Sequence, residues 1–559
     1  MIPAWTGEQI RAAEQPLLDQ GSGPALMRRA AHALSVECVR LLRDSGGVPG
    51  SRVTVLAGTG NNGADALWAA VELRRRGAAV TVVATGDHLH AEAEAAVRAA
   101  RIPVHRLADT GVDAALQSCL AAAVVLDGVL GTGARGGLRG DFKKLVERFS
   151  AAVQSPDATD SAPRLRDSTR GGSSAARPVV VAVDTVSGLD PNTGAHNGHV
   201  LMANTTVTFG GAKAGHAVPP GRSVSGHVVP VEIGIEDHLP VPPVITLQAT
   251  DVQQLWPTPR ADDHKYTRGV LGVVAGSPEY PGAAVLCTRS AVAAGAGMVR
   301  YLGDQNTQTM VTLTSPEVVA SADDPDVVHV QAWVAGPGAV DDQQRGRIGT
   351  ILDLDQPAVL DAGALDTVGR ALADRDLAAH HILTPHAGEL AELLRWCQAW
   401  GRMEAAPSRH RIESDPLTWA RAAASATGAT VVLKGAATVV AGAGGGPAFV
   451  VGHGSPWLAT AGSGDCLAGI LGTLAAHVEG RGEVFAEGVQ QWLETAPLTP
   501  SVRAQLLEQF HGEGRWALVA AVGVGLHATA SRIQGEGPQP CQPEHIRAAL
   551  TREPRFPWA

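Results

Sequence analysis

Aromatic residues are scarce in this chain, at 4% of 559, and charged residues reach only 18%. Cysteine is sparse as well: Cys38, Cys119, Cys287, Cys397, Cys466 and Cys541 stand apart, with no CxxC pair. Such spacing argues against a disulfide framework or a zinc site and fits a reducing compartment, so a cytoplasmic location is expected. No apolar run approaches the roughly 20 residues of a membrane helix, and none is expected. Met1-Ile2-Pro3-Ala4-Trp5 has neither a basic patch nor an apolar run behind it, so no secretory leader is expected. A basic excess is also missing. The net charge of -10 argues against a general nucleic-acid binder.

What is present is apolar and small: 45% hydrophobic residues and 65 glycines. That composition suits α/β layers with tight turns, and the length calls for at least two domains. Thr6-Gly7-Glu8-Gln9 reads as a capping box opening a helix, and Leu26–Leu42 as a second helix. Short apolar runs at Val53–Ala57, Val80–Ala84, Val124–Leu126, Val179–Val183 and Thr206–Phe209, with a helix over Asp65–Arg76, predict a doubly wound parallel domain over residues 1–237. Residues 150–178 lack periodicity and read as a mobile insertion. The Pro-rich stretch within 238–247 reads as a linker. A second α/β domain is expected over 248–559. Its strands are predicted at Val270–Ala275, Ala332–Ala335, Ala358–Asp361, Ile382–Thr384, Thr430–Lys434 and Ala448–Val451. An elaboration, helical in part, is expected over 479–514.

In the second domain, Ala461-Gly462-Ser463-Gly464-Asp465 precedes an apolar helical run. Glycines at a loop-to-helix junction leave backbone N–H groups free for an anion, and a carboxylate there can take a proton from a hydroxyl as a phosphoryl group arrives. Lys434-Gly435-Ala436-Ala437-Thr438 offers a strand end, a cation and a small-residue turn suited to an adenine nucleotide. Any one of these turns could be no more than a tight loop. His386, after Thr384-Pro385, could equally cap a helix, and Cys466 is most simply a packing residue.

In the first domain, Gly58-Thr59-Gly60-Asn61-Asn62-Gly63-Ala64-Asp65 follows a strand and opens a helix, where a phosphate could rest on backbone N–H groups and Asp65 would suit the helix dipole. Asp127 and Asp184 close two further strands, either as site residues over the sheet edge or as caps of turns. Oxygens of Asn62, Asp127 and Ser187 would suit a hard monovalent or divalent cation.

In order, Gly269–Ser277, Tyr280-Pro281-Gly282-Ala283-Ala284, Ala335-Gly336-Pro337-Gly338, Asp361–Leu365, Leu383–Glu389 and Gly454–Asp465 resemble ADP- or ATP-dependent NAD(P)H-hydrate dehydratases. The resemblance implies a ribokinase-like fold and removal of water from the S-hydrate of NADH or NADPH. Asp465 would be the catalytic base; Ala283, Gly338, His386 and Asp465 would contact the hydrate, and Lys434, Gly435, Ala436, Ala437, Thr438 and Gly464 the nucleotide. ADP is expected as co-substrate, ATP being the alternative, with magnesium alongside. Residues 1–236, through the Asn61–Asp65 loop, Asp127, Gly131–Gly137, Asp184–Ser187 and Leu26–Ala30, resemble NAD(P)H-hydrate epimerases of Rossmann-like fold. That implies potassium on Asn62, Asp127 and Ser187. It also implies hydrate on Asn61, Asn62, Gly63, Ala64, Asp65, Gly131, Thr132, Gly133, Ala134, Arg135, Gly136, Gly137 and Asp184, with Asp184 the acid/base at C6. Ala64 and Ala66 stand where that family has glycine, and Val186 where it has proline. The expected partners are small molecules, with no nucleic acid and no membrane, in a homo-oligomer. The alternative is a small-molecule kinase of hydroxyethylthiazole or hydroxymethylpyrimidine type fused to a non-catalytic ligand-binding module.

Overall fold

The computed structural model describes residues 1–44, 46–133, 137–154, 177–533 and 543–551. They form two compact units, Ala4–Pro240, and Val241–Ala559 together with Met1–Pro3.

The N-terminal unit is built on a parallel sheet whose strands lie in the order Val104–Arg106, Ala79–Ala84, Arg52–Ala57, Val124–Gly128, Val179–Val183, Thr205–Phe209, His227–Val231. The inner strands are rich in β-branched residues and, past the exposed Arg52 and Ala79 that open two of them, are buried along most of their length, as strands covered on both faces should be. From Arg52–Ala57 the chain winds outward to Val104–Arg106, then returns to lay Val124–Gly128 on the other side. This reversal is the switch point where such sheets hold ligands. Register places Ala57 beside Gly128 and Asp127 beside Ala182. The loops after these three strands therefore leave from one edge.

Helices start where local chemistry favours them. Thr6 accepts from Gln9 N while the Gln9 side chain accepts from Thr6 N, a reciprocal cap for the helix Gly7–Asp19. Helix Asn61–Arg75 opens on the glycine loop. Its third residue has no alternative to glycine, because a Cβ on Gly63 would lie 2.1 Å from the Gly58 carbonyl oxygen. Helix Gly140–Gln154 runs through the first residues of the expected insertion; residues 155–176, on which the rest of that expectation falls, lie outside the described residues.

The C-terminal unit orders its strands Val319–Ser321, Met298–Leu302, Val270–Val274, Ala332–Ala335, Ala358–Leu360, His381–Leu383, Thr430–Leu433, Thr438–Ala441, Ala448–Val451, Val244–Thr246. The first seven run parallel; Thr438–Ala441 is antiparallel to both its neighbours. Val244–Thr246, which falls within the expected linker, is a buried strand paired with Ala448–Val450. The switch point lies between Val270–Val274 and Ala332–Ala335. Helices Ser463–Gly480 and Arg515–Ala530 are buried along most of their length, and their apolar residues join one large core cluster. Residues 479–514 form mainly two helices, Gly482–Glu494 and Pro500–His511, the latter capped by Thr499. Among the described residues no helix is long and apolar enough to cross a membrane.

Candidate active sites

In the C-terminal unit the strand ends Asp361, Thr384 and Lys434 converge. Asp361 Oδ1 accepts from Thr384 Oγ1 at 2.7 Å and from Lys434 Nζ at 2.7 Å, with the Glu389 carboxylate 3.9 Å from the same ammonium. Helix Ser463–Gly480 brings its N-terminus to this ion pair: a Cβ on Gly464 would sit 3.6 Å from Asp361 Oδ2 and 3.7 Å from Lys434 Nζ. Gly462 makes the turn into that helix at φ 84°, the left-handed region that glycine enters without steric cost. Asp465, in the helix's first turn, has its carboxyl raised above the ordinary range, chiefly by burial, then by the Asp361 charge, with Lys434 opposing. A carboxyl shifted this way is a better proton acceptor than a free aspartate.

Ala283 and Gly338, at the switch point, are neighbours; a Cβ on Gly338 would come within 2.7 Å of the Ala283 methyl. His386 caps helix Ala387–Ala399, its Nδ1 accepting from Gly388 N at 3.0 Å and Glu389 N at 3.2 Å, while Glu389 Oε2 accepts from His386 N. The capping role weighed from sequence is therefore real; the side chain stays largely exposed, with Nε2 3.7 Å from Glu389 Oε2. Gly435 and Ala436 lie exposed in the turn between two strands, Ala437 is buried, and Thr438 begins the next strand. Cys466 is buried, its thiol pushed up to about 11 by desolvation, in keeping with a packing role. Sequence reasoning assigned no role to Asp361 or Glu389. The signal for Asp361 was there, an aspartate closing an apolar strand as at Asp127 and Asp184.

In the N-terminal unit Asn62, Asp127 and Ser187 come together around Leu130. Ser187 donates to Asp127 Oδ1 at 2.6 Å through its hydroxyl and to Oδ2 at 2.9 Å through its backbone N–H. The same hydroxyl accepts from Leu130 N, and Asn62 Nδ2 donates to the Leu130 and Val183 carbonyls. Asp127 is fully buried, and desolvation pushes its carboxyl up to about 6 in spite of the Ser187 and Val129 hydrogen bonds.

Asn61 is exposed at the helix start, and Gly63, Ala64 and Asp65 are buried. The expected dipole stabilisation of Asp65 does not prevail. Burial and the Asp184 and Glu14 charges hold its carboxyl well above the usual range, because it lies a full turn inside the helix. Gly131, Thr132, Gly133 and Gly137 follow strand Val124–Gly128, with Thr132 O accepting from Arg11 Nη1 at 3.0 Å. Ala134, Arg135 and Gly136 lie outside the described residues. Ala64 and Ala66 bury their methyls completely, and Val186 joins Ala182, Leu189, Val200 and Val224 in an apolar cluster. Asp184 adopts φ 63°, rare for a residue with a Cβ, and is ion-paired with Lys213. Lys213 was also missed: it lies 29 residues beyond Asp184, just after the Gly210-Gly211 pair, with no motif to mark it.

Two α/β units, each with acidic residues and a glycine-rich helix start gathered at the ends of parallel strands, define a class of enzyme built on two wound parallel sheets, with a site at the strand ends of each. The family model for NAD(P)H-hydrate dehydratase matches residues 271–496, and that for the YjeF-related protein N-terminus matches residues 23–215. The bifunctional NAD(P)H-hydrate repair enzyme Nnr of Mycobacterium tuberculosis is 42% identical over 487 residues, covering 86% of this chain and 90% of the relative. The NAD(P)H-hydrate epimerase of Microbacterium testaceum is 38% identical over 263 residues, 46% of this chain and 89% of its own length. A solved ADP/ATP-dependent NAD(P)H-hydrate dehydratase of Bacillus subtilis superposes with a TM-score of 0.41 at 22% identity, over 55% of this chain and 95% of that one. The chain belongs to the family of bifunctional NAD(P)H-hydrate repair enzymes.

Proposed function

We propose that the N-terminal unit interconverts the R- and S-hydrates of NADH and NADPH at C6, and that the C-terminal unit dehydrates the S-hydrate with ADP, or ATP in its place. The observation that carries the reading is the placement of Asp465 at a helix N-terminus against the Lys434–Asp361 pair. Asp465 takes the proton of the C6 hydroxyl as that oxygen attacks the terminal phosphorus of the nucleotide, displacing AMP when ADP is used. Phosphate then leaves C6 with the bonding pair, C5 loses a proton, and the C5–C6 double bond returns. First-turn amides and the Lys434 ammonium favour the negative charge that develops on the transferred group. His386, holding its Nδ1 as an acceptor, presents Nε2–H as a donor to the hydrate beside Ala283 and Gly338. Gly435–Thr438 and Gly464 line the nucleotide, and magnesium travels with it.

In the N-terminal unit the Asn61–Asp65 and Gly131–Gly137 loops and Asp184 hold the hydrate. Asn62, Asp127 and Ser187 would hold potassium. The fit rests on an all-oxygen donor set, with amide, carboxylate and hydroxyl groups beside the Leu130 and Val183 carbonyls, around a buried Asp127 that has no cationic side chain hydrogen-bonded to it among the described residues. An ion held there would supply the positive charge that the buried Asp127 carboxylate lacks. A homo-oligomer in the cytoplasm belongs to the same reading.

Purified R- and S-hydrates, supplied separately with ADP and then ATP, test it. Prompt consumption of S with either nucleotide is expected, and R should be consumed faster than its spontaneous epimerisation permits. If S persists with both nucleotides, the dehydratase assignment is wrong. If R follows only its spontaneous rate, the epimerase assignment alone is wrong.

A further inference from the structure

Lys213 closes the short strand Ala212–Lys213 and is completely buried. Its ammonium donates to Asp184 Oδ1, to Thr208 Oγ1 at 2.9 Å and to the Phe209 carbonyl at 2.9 Å, which uses all three of its donors. Asp184 Oδ1 also accepts from Thr208 Oγ1 at 3.2 Å and Phe209 N at 3.1 Å. Every hydrogen bond to this carboxylate from a described residue therefore falls on one oxygen, and Oδ2 is left for a ligand. An aspartate held in the left-handed region by so many contacts is a strained residue that its surroundings over-determine.

Around this pair stand Glu14 from the first helix, with Arg11 one turn before it, Asp65 from the glycine-loop helix, and His216 beyond Lys213. His216 is held neutral, pushed down to about 3 by burial and then by the Lys213 ammonium, so it has no proton to give as an acid. Asp65 has the opposite environment from Asp184. It is buried, it has no hydrogen-bond partner among the described residues, and the one ammonium near it is already saturated by Asp184, Thr208 and Phe209. Asp184, with Oδ1 filled by the Lys213 ammonium, Thr208 and Phe209 and Oδ2 left open, is arranged to accept a proton, and Asp65, buried without a partner among the described residues, is arranged to give one.

We propose that Lys213 is a positioning residue that holds Asp184 as the base of C6 epimerisation, and that Asp65 is the acid that protonates the departing C6 hydroxyl. The proposal rests on the epimerase reading of this unit. The Asp65 proton passes to the hydroxyl oxygen as the C6–O bond breaks, and the oxygen leaves with the bonding pair as water. The lone pair of the ring nitrogen forms a double bond to C6. Water adds to the other face and gives its proton to Asp184 Oδ2, and exchange with solvent returns both carboxyls to their starting states.

The full chain carrying Lys213→Met, Asp65→Asn or Glu14→Gln tests this, with R-to-S exchange followed across pH. In Lys213→Met, kcat for exchange should fall at least about 100-fold with KM within about threefold, and the acid limb of the pH profile should move up by about one unit or more as Asp184 loses its ammonium. Lys213→Gln, which keeps a donor without the charge, should show the same shift and serves if the methionine variant does not fold. Asp65→Asn should lose about 100-fold and also lose the alkaline limb, while Glu14→Gln stays within about threefold of the unaltered chain. An acid limb that stays in place without the Lys213 charge overturns the positioning role, and an alkaline limb that persists in Asp65→Asn, or vanishes in Glu14→Gln, overturns the acid assignment. Absence of exchange in the unaltered chain would instead remove the epimerase reading itself.

Discussion

His386 commits its Nδ1 to the first turn of helix Ala387–Ala399, so its structural and ligand-binding roles can be separated by substitution. Asparagine caps helices well and alanine does not. His386→Ala should therefore lower stability by about 1 kcal/mol, while His386→Asn should keep most of it. Both should raise KM for the S-hydrate, because neither restores the Nε2–H donor. Chemical denaturation beside steady-state kinetics reads the two effects apart; an unchanged KM in both variants would make His386 a cap and nothing more.

Asp127 carries a pH signature. Its carboxyl is pushed up to about 6 from an ordinary value of 3.8 because burial disfavours the charge. The folded form then holds the proton more tightly than the unfolded chain. The associated stability is fully present below the unfolded value and is lost as pH rises through 6, at a cost of roughly 3 kcal/mol when no cation compensates. Potassium should therefore raise Tm more at pH 8 than at pH 5, relative to tetramethylammonium. Asp127→Asn should abolish that difference; equal shifts at both pH values would mean the ion does not sit against Asp127.

At the scale of elements, the start of helix Ser463–Gly480 depends on one backbone conformation. A Cβ on Gly462 would meet Leu286 Cδ1 at 2.6 Å while occupying φ 84°. Gly462→Ala should cost about 1–2 kcal/mol and displace Asp465 and Gly464 together, so kcat for dehydration should fall further than the stability loss explains. A variant with reduced Tm and normal kcat would show that the turn is not what positions Asp465. The inner strands and the buried helices were legible in the sequence, because uninterrupted valine and alanine runs bounded by glycine have few other solutions. Val104–Arg106, Met298–Leu302, Val319–Ser321 and His227–Val231 were not. They lie toward or at the sheet margins, where polar residues such as Arg106, Arg300 and Pro230 interrupt the pattern that marks a buried strand.

For the molecule as a whole, two activities on one chain predict that defects in them complement each other. Asp465→Asn should lose nucleotide-dependent dehydration by about two to four orders of magnitude and keep R-to-S exchange. Asp184→Asn should do the reverse. Either variant alone leaves R-hydrate largely unrepaired, and an equimolar mixture should convert it fully with ADP; failure of the mixture would require both sites to work within one chain.

Taken alone, the sequence determined the layered α/β architecture, the glycine-rich helix starts at Asn61 and Ser463, and the strand-end aspartates. These are local features, set by side-chain size and backbone freedom over a few residues. Only the tertiary structure decided which charges meet. Asp361 and Lys434 are 73 residues apart, and Asp184 and Lys213 are 29 apart. Strand register brings each pair within hydrogen-bonding distance, and burial then sets which carboxyls are ionised. The proton affinities of Asp65, Asp127 and Asp465 follow from that burial, which no spacing along the chain encodes.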